Sequence, residues 1–412
     1  MSEGIGLAEK MLGTPGAKVL DVEEAVGEIV VRVESTKCRT YCPSYHRRAK
    51  AEGRLEVQVH QEDLDRVAPR HVLTLRGVRL GQARLAIDPS RCILCGLCMT
   101  GCPRSLIYSA SQTLDRLRSE GLIEYLSGRR AVRLHEDRGT PSVTVRHLET
   151  AATETLAADK VFVACGAMGT TRLVAGSLGL FDQVISAAES AQFTIPFVSR
   201  HPIGDPRSVP GFTLNQFNMV IDAGHDARDL SQIHFYTYNP AFVDALPAPL
   251  RHPRLGPLTA QLLRRLSVGI GDLPSWASPQ LELRFEDSAA EPHDLPRMVI
   301  DREAPRWAAN PMLRRVLRRL VQAAPDLDLW PVLPKTIFAA SAKSYHFGST
   351  FPHTDRASGS LGSDRLGRVG GWRDIHLVDA SVFPDVPATT FTFTIMANAH
   401  RIADEVLDGR AP

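Results

Sequence analysis

Cys92, Cys95, Cys98 and Cys102 fall within eleven residues and are followed at once by Pro103. The spacing C-x2-C-x2-C-x3-C-P lets a short loop wrap thiolates around an iron–sulfur cluster, and the proline then turns the chain away. In two-cluster proteins the fourth cysteine of such a run serves the other cluster, and no second run occurs here, so a site of four ligands and a site of three both stay open. Four thiolates also suit tetrahedral zinc. Electron transfer is the leading expectation.

Three blocks near the C-terminus carry the second chemical signal: Ser344-Tyr345-His346-Phe347-Gly348-Ser349-Thr350, then Ile375-His376-Leu377-Val378-Asp379-Ala380-Ser381-Val382-Phe383-Pro384, then Thr394 to Asp404. An imidazole at His346 titrates near neutrality and can take a proton from a hydroxyl. Asp379 on its own reads equally well as an N-cap. Upstream, Lys160 to Leu173 is a buried-looking strand that passes through Gly166 into a helix. Strand, tight turn and helix start offer backbone N–H groups and a positive dipole end to a phosphate or a flavin. Cys165 reads there as a small hydrophobe.

These blocks, in this order, resemble the closing segment of the glucose-methanol-choline family of flavin oxidoreductases, and the Val161 to Leu173 block resembles that family's internal flavin-domain strand. The match can be followed from about Ala83 to Leu407. Cysteine-rich insertions at the place of Cys92 to Cys102 are similar to those of family members that are dehydrogenases feeding an external electron acceptor. The resemblance implies that His346 takes a hydroxyl proton while hydride passes to FAD. It also implies that Val132, Gly166, Asp379, Ala380 and Ser381 meet the flavin, and that Cys92, Cys95, Cys98 and Cys102 hold an Fe–S cluster. The substrate would be an alcohol or a sugar hydroxyl.

Two departures from the family bear on that expectation. Its second catalytic position, a His or Asn, falls at about Thr390, whose hydroxyl cannot be a strong base. In addition, no strand followed by G-x-G-x-x-G with an acidic residue about 20 positions later occurs in the chain, so the unit that holds the ADP half of FAD is missing. The expectation is a split enzyme completed by a FAD-domain partner chain, a missing N-terminal segment, or a protein that has lost flavin and acts in assembly or electron relay.

The elements that must position these residues fit an ordinary globular chain of 412 residues, 43% hydrophobic and 23% charged, long enough for a sizeable core. The expected class is α+β or α/β, a partial FAD-binding domain of that family's type with an antiparallel-sheet substrate domain. The expected divisions are 1–91, of unclear role with an acidic helical patch at Asp21 to Glu28; 92–180, the cysteine loop and internal flavin segment; 181–343, the substrate domain; and 344–412, the active-site segment. A helix over Met312 to Ala323 sets Leu313, Val316, Leu317 and Leu320 against Arg314, Arg315, Arg318 and Arg319, a solvated face over the core. His234, His252 and His293 sit in unrelated contexts and read as structural or exposed. The final helix, Met396 to Asp404, is expected to bury most of its apolar residues. A net charge of +2 gives no nucleic-acid footprint. No stretch approaches the roughly 20 apolar residues of a transmembrane span. Seven cysteines, four of them in one run, argue for a reducing compartment, with the cytoplasm as default.

Overall fold

The computed structural model describes residues 17–25, 28–35, 54–60, 73–75, 78–82, 91–93, 95, 97–98, 101–202, 214–224, 227–236, 248–287, 294–302, 307–354 and 361–407. β1 (Ala17–Ala25), β2 (Glu28–Ser35) and β3 (Arg54–His60) make an antiparallel sheet. The acidic stretch expected as helix is therefore strand, with Asp21 opposite Arg32 and Ala25 opposite Glu28. Val19, Val22, Ile29, Val30, Val31 and Val33 dominate the pair, and such β-branched residues suit a pleated surface better than a helix.

β4 (Leu73–Leu75) and β5 (Val78–Gln82) come next, then α1 (Ala110–Ser119), whose Ser109 cap accepts from Ser111 N–H. β6 (Arg129–Asp137), β7 (Thr140–His147) and β8 (Thr153–Ala157) form a second antiparallel sheet. β9 (Val161–Val163) runs through Gly166 into α2 (Ala167–Leu178). Then follow β10 (Ile185–Glu189), β11 (Gln192–Val198), β12 (Asn215–Asp222), β13 (Leu230–Tyr236), α3 (Gly256–Leu263) and β14 (Leu266–Asp272). β15 (Leu281–Glu286), β16 (Arg297–Arg302) and α4 (Pro311–Leu327) lead to the short strands β17 (Trp330–Pro331), β18 (Ile337–Phe338), β19 (Phe347–Gly348) and β20 (Ile375–Leu377), and α5 (Thr392–Leu407) closes the described chain.

Among the described residues, eight strands build one large antiparallel sheet in the order β17-β11-β14-β13-β12-β5-β4, with β18 also on β11. Strand alternation gives this sheet two unlike faces. Phe193, Ile195, Phe197, Met219, Ile221, Ile233 and Phe235 point to one side, buried against Met312, Leu313, Val316 and Leu320 of α4. Each such side chain contributes about 1.5–3 kcal/mol by leaving water. Arg314, Arg315 and Arg318 lie on the outer face of α4 and are exposed. The other side of the sheet carries Asn218, Gln232, His234 and Asp272, of which the last three are buried.

A second core joins α2, β10, β15 and β20 through Leu173, Val174, Ile185, Leu281, Leu283, Phe351, Ile375 and Leu377. Within it β9 and β20 run parallel, with Ile375 opposite Val161 and Leu377 opposite Val163. Among the described residues these two strands form a sheet of two, so each has an unpaired edge. α5 departs from expectation: between Met396 and Asp404, Ile402 is buried, whereas Met396, Ala397, Ala399 and Ala403 are partly exposed.

Candidate functional site

The carboxyl ends of the parallel strands lie side by side, which is where open α/β sheets form their crevices. Gly166 leaves β9 at φ 77 and caps α2, a backbone conformation that L side chains seldom adopt. Beside it Val378 N–H donates to the Val163 carbonyl at 3.0 Å. Asp379 then caps the short 3-10 turn Ala380–Val382, its Oδ1 accepting from Ser381 N–H at 2.9 Å. Thr170 ties the two turns together. Its hydroxyl accepts from Cys165 N–H at 3.1 Å and donates to Asp379 Oδ2 at 2.5 Å. The Asp379 carboxylate thus already answers the first turn of α2, and a phosphate placed there would meet a like charge. Cys165 is exposed rather than packed.

His346 enters from the other side on a loop held in uncommon backbone. Ala342, Tyr345 and Ser349 all have positive φ, at 64, 62 and 59, and such non-glycine positions persist only where surrounding structure holds them. Glu189 does part of the holding: its Oε2 accepts from Ala342 N–H at 2.8 Å and Ser344 Oγ–H at 3.3 Å. Burial pushes the Glu189 carboxyl up, against the opposing hydrogen bonds from Ala342 and Ser344. After His346 the chain passes the Asp379 turn, since Ser349 N–H donates to the Ala380 carbonyl at 3.0 Å and a Cβ on Gly348 would stand 2.7 Å from that oxygen. The loop that carries His346 therefore runs past the Asp379 turn, which Thr170 ties to the Gly166 turn. Phe391 meets the His346 ring edge-on, with centroids 5.4 Å apart. Its neighbour Thr390 is exposed. Val132 is buried on β6 at a bulge in the three-stranded sheet.

Burial is also the main influence that lowers the His346 pKa below the ordinary imidazole value; Asp272 works against it and His234 with it. Both neighbours come from the polar face of the large sheet. His234 Nε2 stands 3.4 Å from Asp272 Oδ2. Its Nδ1 has Asn218 Oδ1 at 3.0 Å, Asn215 Nδ2 at 3.1 Å and Gln232 Nε2 at 3.4 Å. Half-buried Tyr236 lies on the same strand, its hydroxyl pKa raised by burial and by the Asp272 charge. Of the two expected readings of His234, structural or exposed, the structure leaves the structural one: it is 7% exposed and is the centre of a polar cluster. His252 is an exposed cap of the 3-10 turn Pro253–Leu255, and His293 lies outside the described residues.

In the cysteine loop, Cys95 is exposed and Cys92, Cys98 and Cys102 are partly so. Cys102 has the most defined surroundings of the four. Leu106 N–H donates to its Sγ at 3.5 Å, the main influence lowering its thiol pKa toward thiolate. Gly101, at φ 106, makes the reversal between Cys98 and Cys102. The donor chemistry fits an iron–sulfur cluster or zinc. Among the described residues no three Cys, His, Asp or Glu side chains already converge on a metal position, so an ion or cluster would have to draw the thiolates together as it binds.

A 4Fe-4S binding domain profile matches residues 85–108. No curated protein sequence matches the chain. Among solved structures, pyridoxine 4-oxidase from Mesorbium loti has a TM-score of 0.46 at 14% identity, over 71% of this chain and 60% of that one. An FAD-dependent oxidoreductase from Chaetomium thermophilum, determined with a bound fragment, likewise has a TM-score of 0.46 at 14% identity, over 74% and 64%. The chain spans less than two thirds of the length of either structure.

Ser349 Oγ and Ser381 Oγ are buried without a hydrogen-bond partner among the described residues, and a Cβ on Gly166 would meet nothing within 4 Å. Two partnerless hydroxyls and an open turn suit the polar edge of a flavin ring or a ribityl hydroxyl. Sequence reasoning missed His234, Asp272 and Glu189. The one trace of them was polar residues inside otherwise apolar strands, as in Leu230-Ser231-Gln232-Ile233-His234-Phe235.

Proposed function

We propose that this chain is a flavin-dependent dehydrogenase of the glucose-methanol-choline type, or the substrate-domain subunit of one, oxidising an alcohol or sugar hydroxyl. The observation that carries the reading is His346, whose buried Nδ1 has no partner among the described residues and whose loop abuts the Asp379 turn. Held neutral by burial, the imidazole is ready to accept the hydroxyl proton. Gly166, Ala380 and Ser381 would line the ring of a bound FAD, which supplies hydride acceptance when present. Asp379 holds the two turns in register through Thr170 and Ser381. Cys92, Cys95, Cys98 and Cys102 would hold the cluster that passes electrons to an external acceptor. The open edges of β9 and β20 suit a further dinucleotide-binding unit, supplied by a partner chain, because unpaired strand edges seek pairing.

A second reading, an assembly or relay protein without flavin, is favoured by the exposure of Thr390 where the resemblance implies a second catalytic group. Anaerobic reconstitution with FAD, iron and sulfide separates the two. The enzyme reading expects flavin bands bleached by an alcohol, and His346→Ala lowering turnover about 10²–10⁴-fold. A native complex of this chain with its partner that takes up a cluster but no flavin, or keeps full turnover after His346→Ala, would sink it.

A further inference from the structure

The polar face of the large sheet presents an acid that the reading above does not use. Asp272 is 1% exposed, one oxygen is engaged by His234, and Oδ1 is buried with no partner among the described residues. His346 Nδ1 is in the same condition. Both are held through Ser190. Its N–H donates to the His346 carbonyl at 3.1 Å, and its hydroxyl donates at 2.8 Å to the carbonyl of Leu273, next in chain to Asp272. A buried carboxylate oxygen and a buried ring nitrogen, each lacking a partner, cost about 1–3 kcal/mol apiece unless something hydrogen-bonds to them. Two neighbouring hydroxyls of one ligand would satisfy them, one O–H donating to each.

We infer that Asp272, with His234 as its fixed partner, is the counter-charge and second hydrogen-bonding point of the His346 site, a role the C-terminal blocks leave to Thr390. This rests on reading His346 as the proton acceptor. One ligand hydroxyl donates to His346 Nδ1 and a neighbouring hydroxyl of the same ligand donates to Asp272 Oδ1. The first O–H bond breaks, an N–H bond forms on His346, and the electron pair stays on oxygen. The imidazolium then carries a positive charge in a buried setting, where the Asp272 carboxylate stabilises it. His234 is a positioning residue, its ring oriented by Asn215, Asn218 and Gln232. Among the described residues, the other titratable groups on the elements packed here include Tyr236 on β13, Glu189 on β10 and Asp379 at the turn beside the loop; Glu189 is engaged with the His346 loop and its carboxyl is pushed up by burial.

The test is the titration of histidine ring signals by NMR on the full chain, with His346 assigned by its loss in His346→Gln. Asp272→Asn removes the negative charge and is expected to lower the His346 midpoint by about one pH unit, a tenfold change in acid dissociation. His234→Gln is expected to raise it. A purely structural Asp272 would lower the melting temperature and leave the midpoint in place. That outcome, in an Asp272→Asn protein of native circular dichroism, overturns the inference. If Asp272→Asn does not fold, Asp272→Ser, smaller and also uncharged, takes its place, and an unmoved His346 midpoint in it overturns the inference. If the variants show both shifts while the wild-type native complex oxidises no alcohol with FAD and a dye acceptor, the functional reading is removed and the charge coupling stands.

Discussion

The Thr170 hydroxyl bridges two turns that are far apart in sequence, accepting from Cys165 and donating to Asp379. Asp379 in turn is the one side chain that satisfies both Thr170 and Ser381. Charge-assisted hydrogen bonds of this kind are the stronger ones. Asp379→Ala is expected to cost about 0.5–2 kcal/mol in urea unfolding through loss of the cap. Thr170→Val should be non-additive with it by at least about 0.5 kcal/mol in a double-mutant cycle. Additive losses would mean that the two side chains stabilise their turns separately.

At the scale of elements, β14 decides how the sheet can present two unlike faces. On its core side Gly269 and Gly271 leave room for neighbours: an added Cβ would stand 2.4 Å from Ile233 Cγ2 and 2.3 Å from Phe193 Cζ. The aromatic rings fill the space that the glycines leave, and α4 covers them. Gly271→Ala forces Phe193 off its position and is expected to destabilise by about 1–3 kcal/mol in chemical denaturation. Leu320→Ala, on the covering helix, is expected to cost about 2–5 kcal/mol. Asp272 lies next to Gly271 on the opposite face, so Gly271→Ala should also disturb the His346 titration, whereas Leu320→Ala should not.

For the whole molecule, buried imidazoles set the response to acid. His346, His353 and His376 all have pKa values lowered chiefly by burial. A group whose folded pKa is depressed contributes stability that is present above its unfolded value, about 6.5 for histidine, and is lost as pH falls through the folded value. Melting temperature is therefore expected to drop as pH falls below about 6.5, and His353→Gln should flatten that slope. Glu189 works with the opposite sign. Its folded pKa is raised by burial, so its contribution is full below the unfolded carboxyl value and declines as pH rises through the folded one. Glu189→Gln should lose that decline while keeping an oxygen for Ala342 and Ser344. At the cysteine loop, ligation would have to gather thiolates that do not yet converge. Loading iron and sulfide is then expected to slow proteolysis and hydrogen exchange across residues 91–108, and chelation to restore both. Unchanged exchange in a loaded sample would mean that the metal sits elsewhere.

The amino-acid sequence by itself determined what depends on near neighbours along the chain. The cysteine spacing fixed the donor chemistry, the strand, glycine and helix start around Gly166 fixed a turn, and the apolar row of α4 fixed which side it buries. It misled at Asp21 to Glu28, where acidic residues outshone the β-branched ones beside them. What only the tertiary structure decided is which distant segments share a site. Strand alternation assigns His234 and Asp272 to a face but does not name the neighbouring strands, and nothing local shows that Ser190 will bind the His346 loop to the end of β14. Those contacts form because burying the opposite, apolar face fixes strand order, and that order sets the polar residues together on the other face.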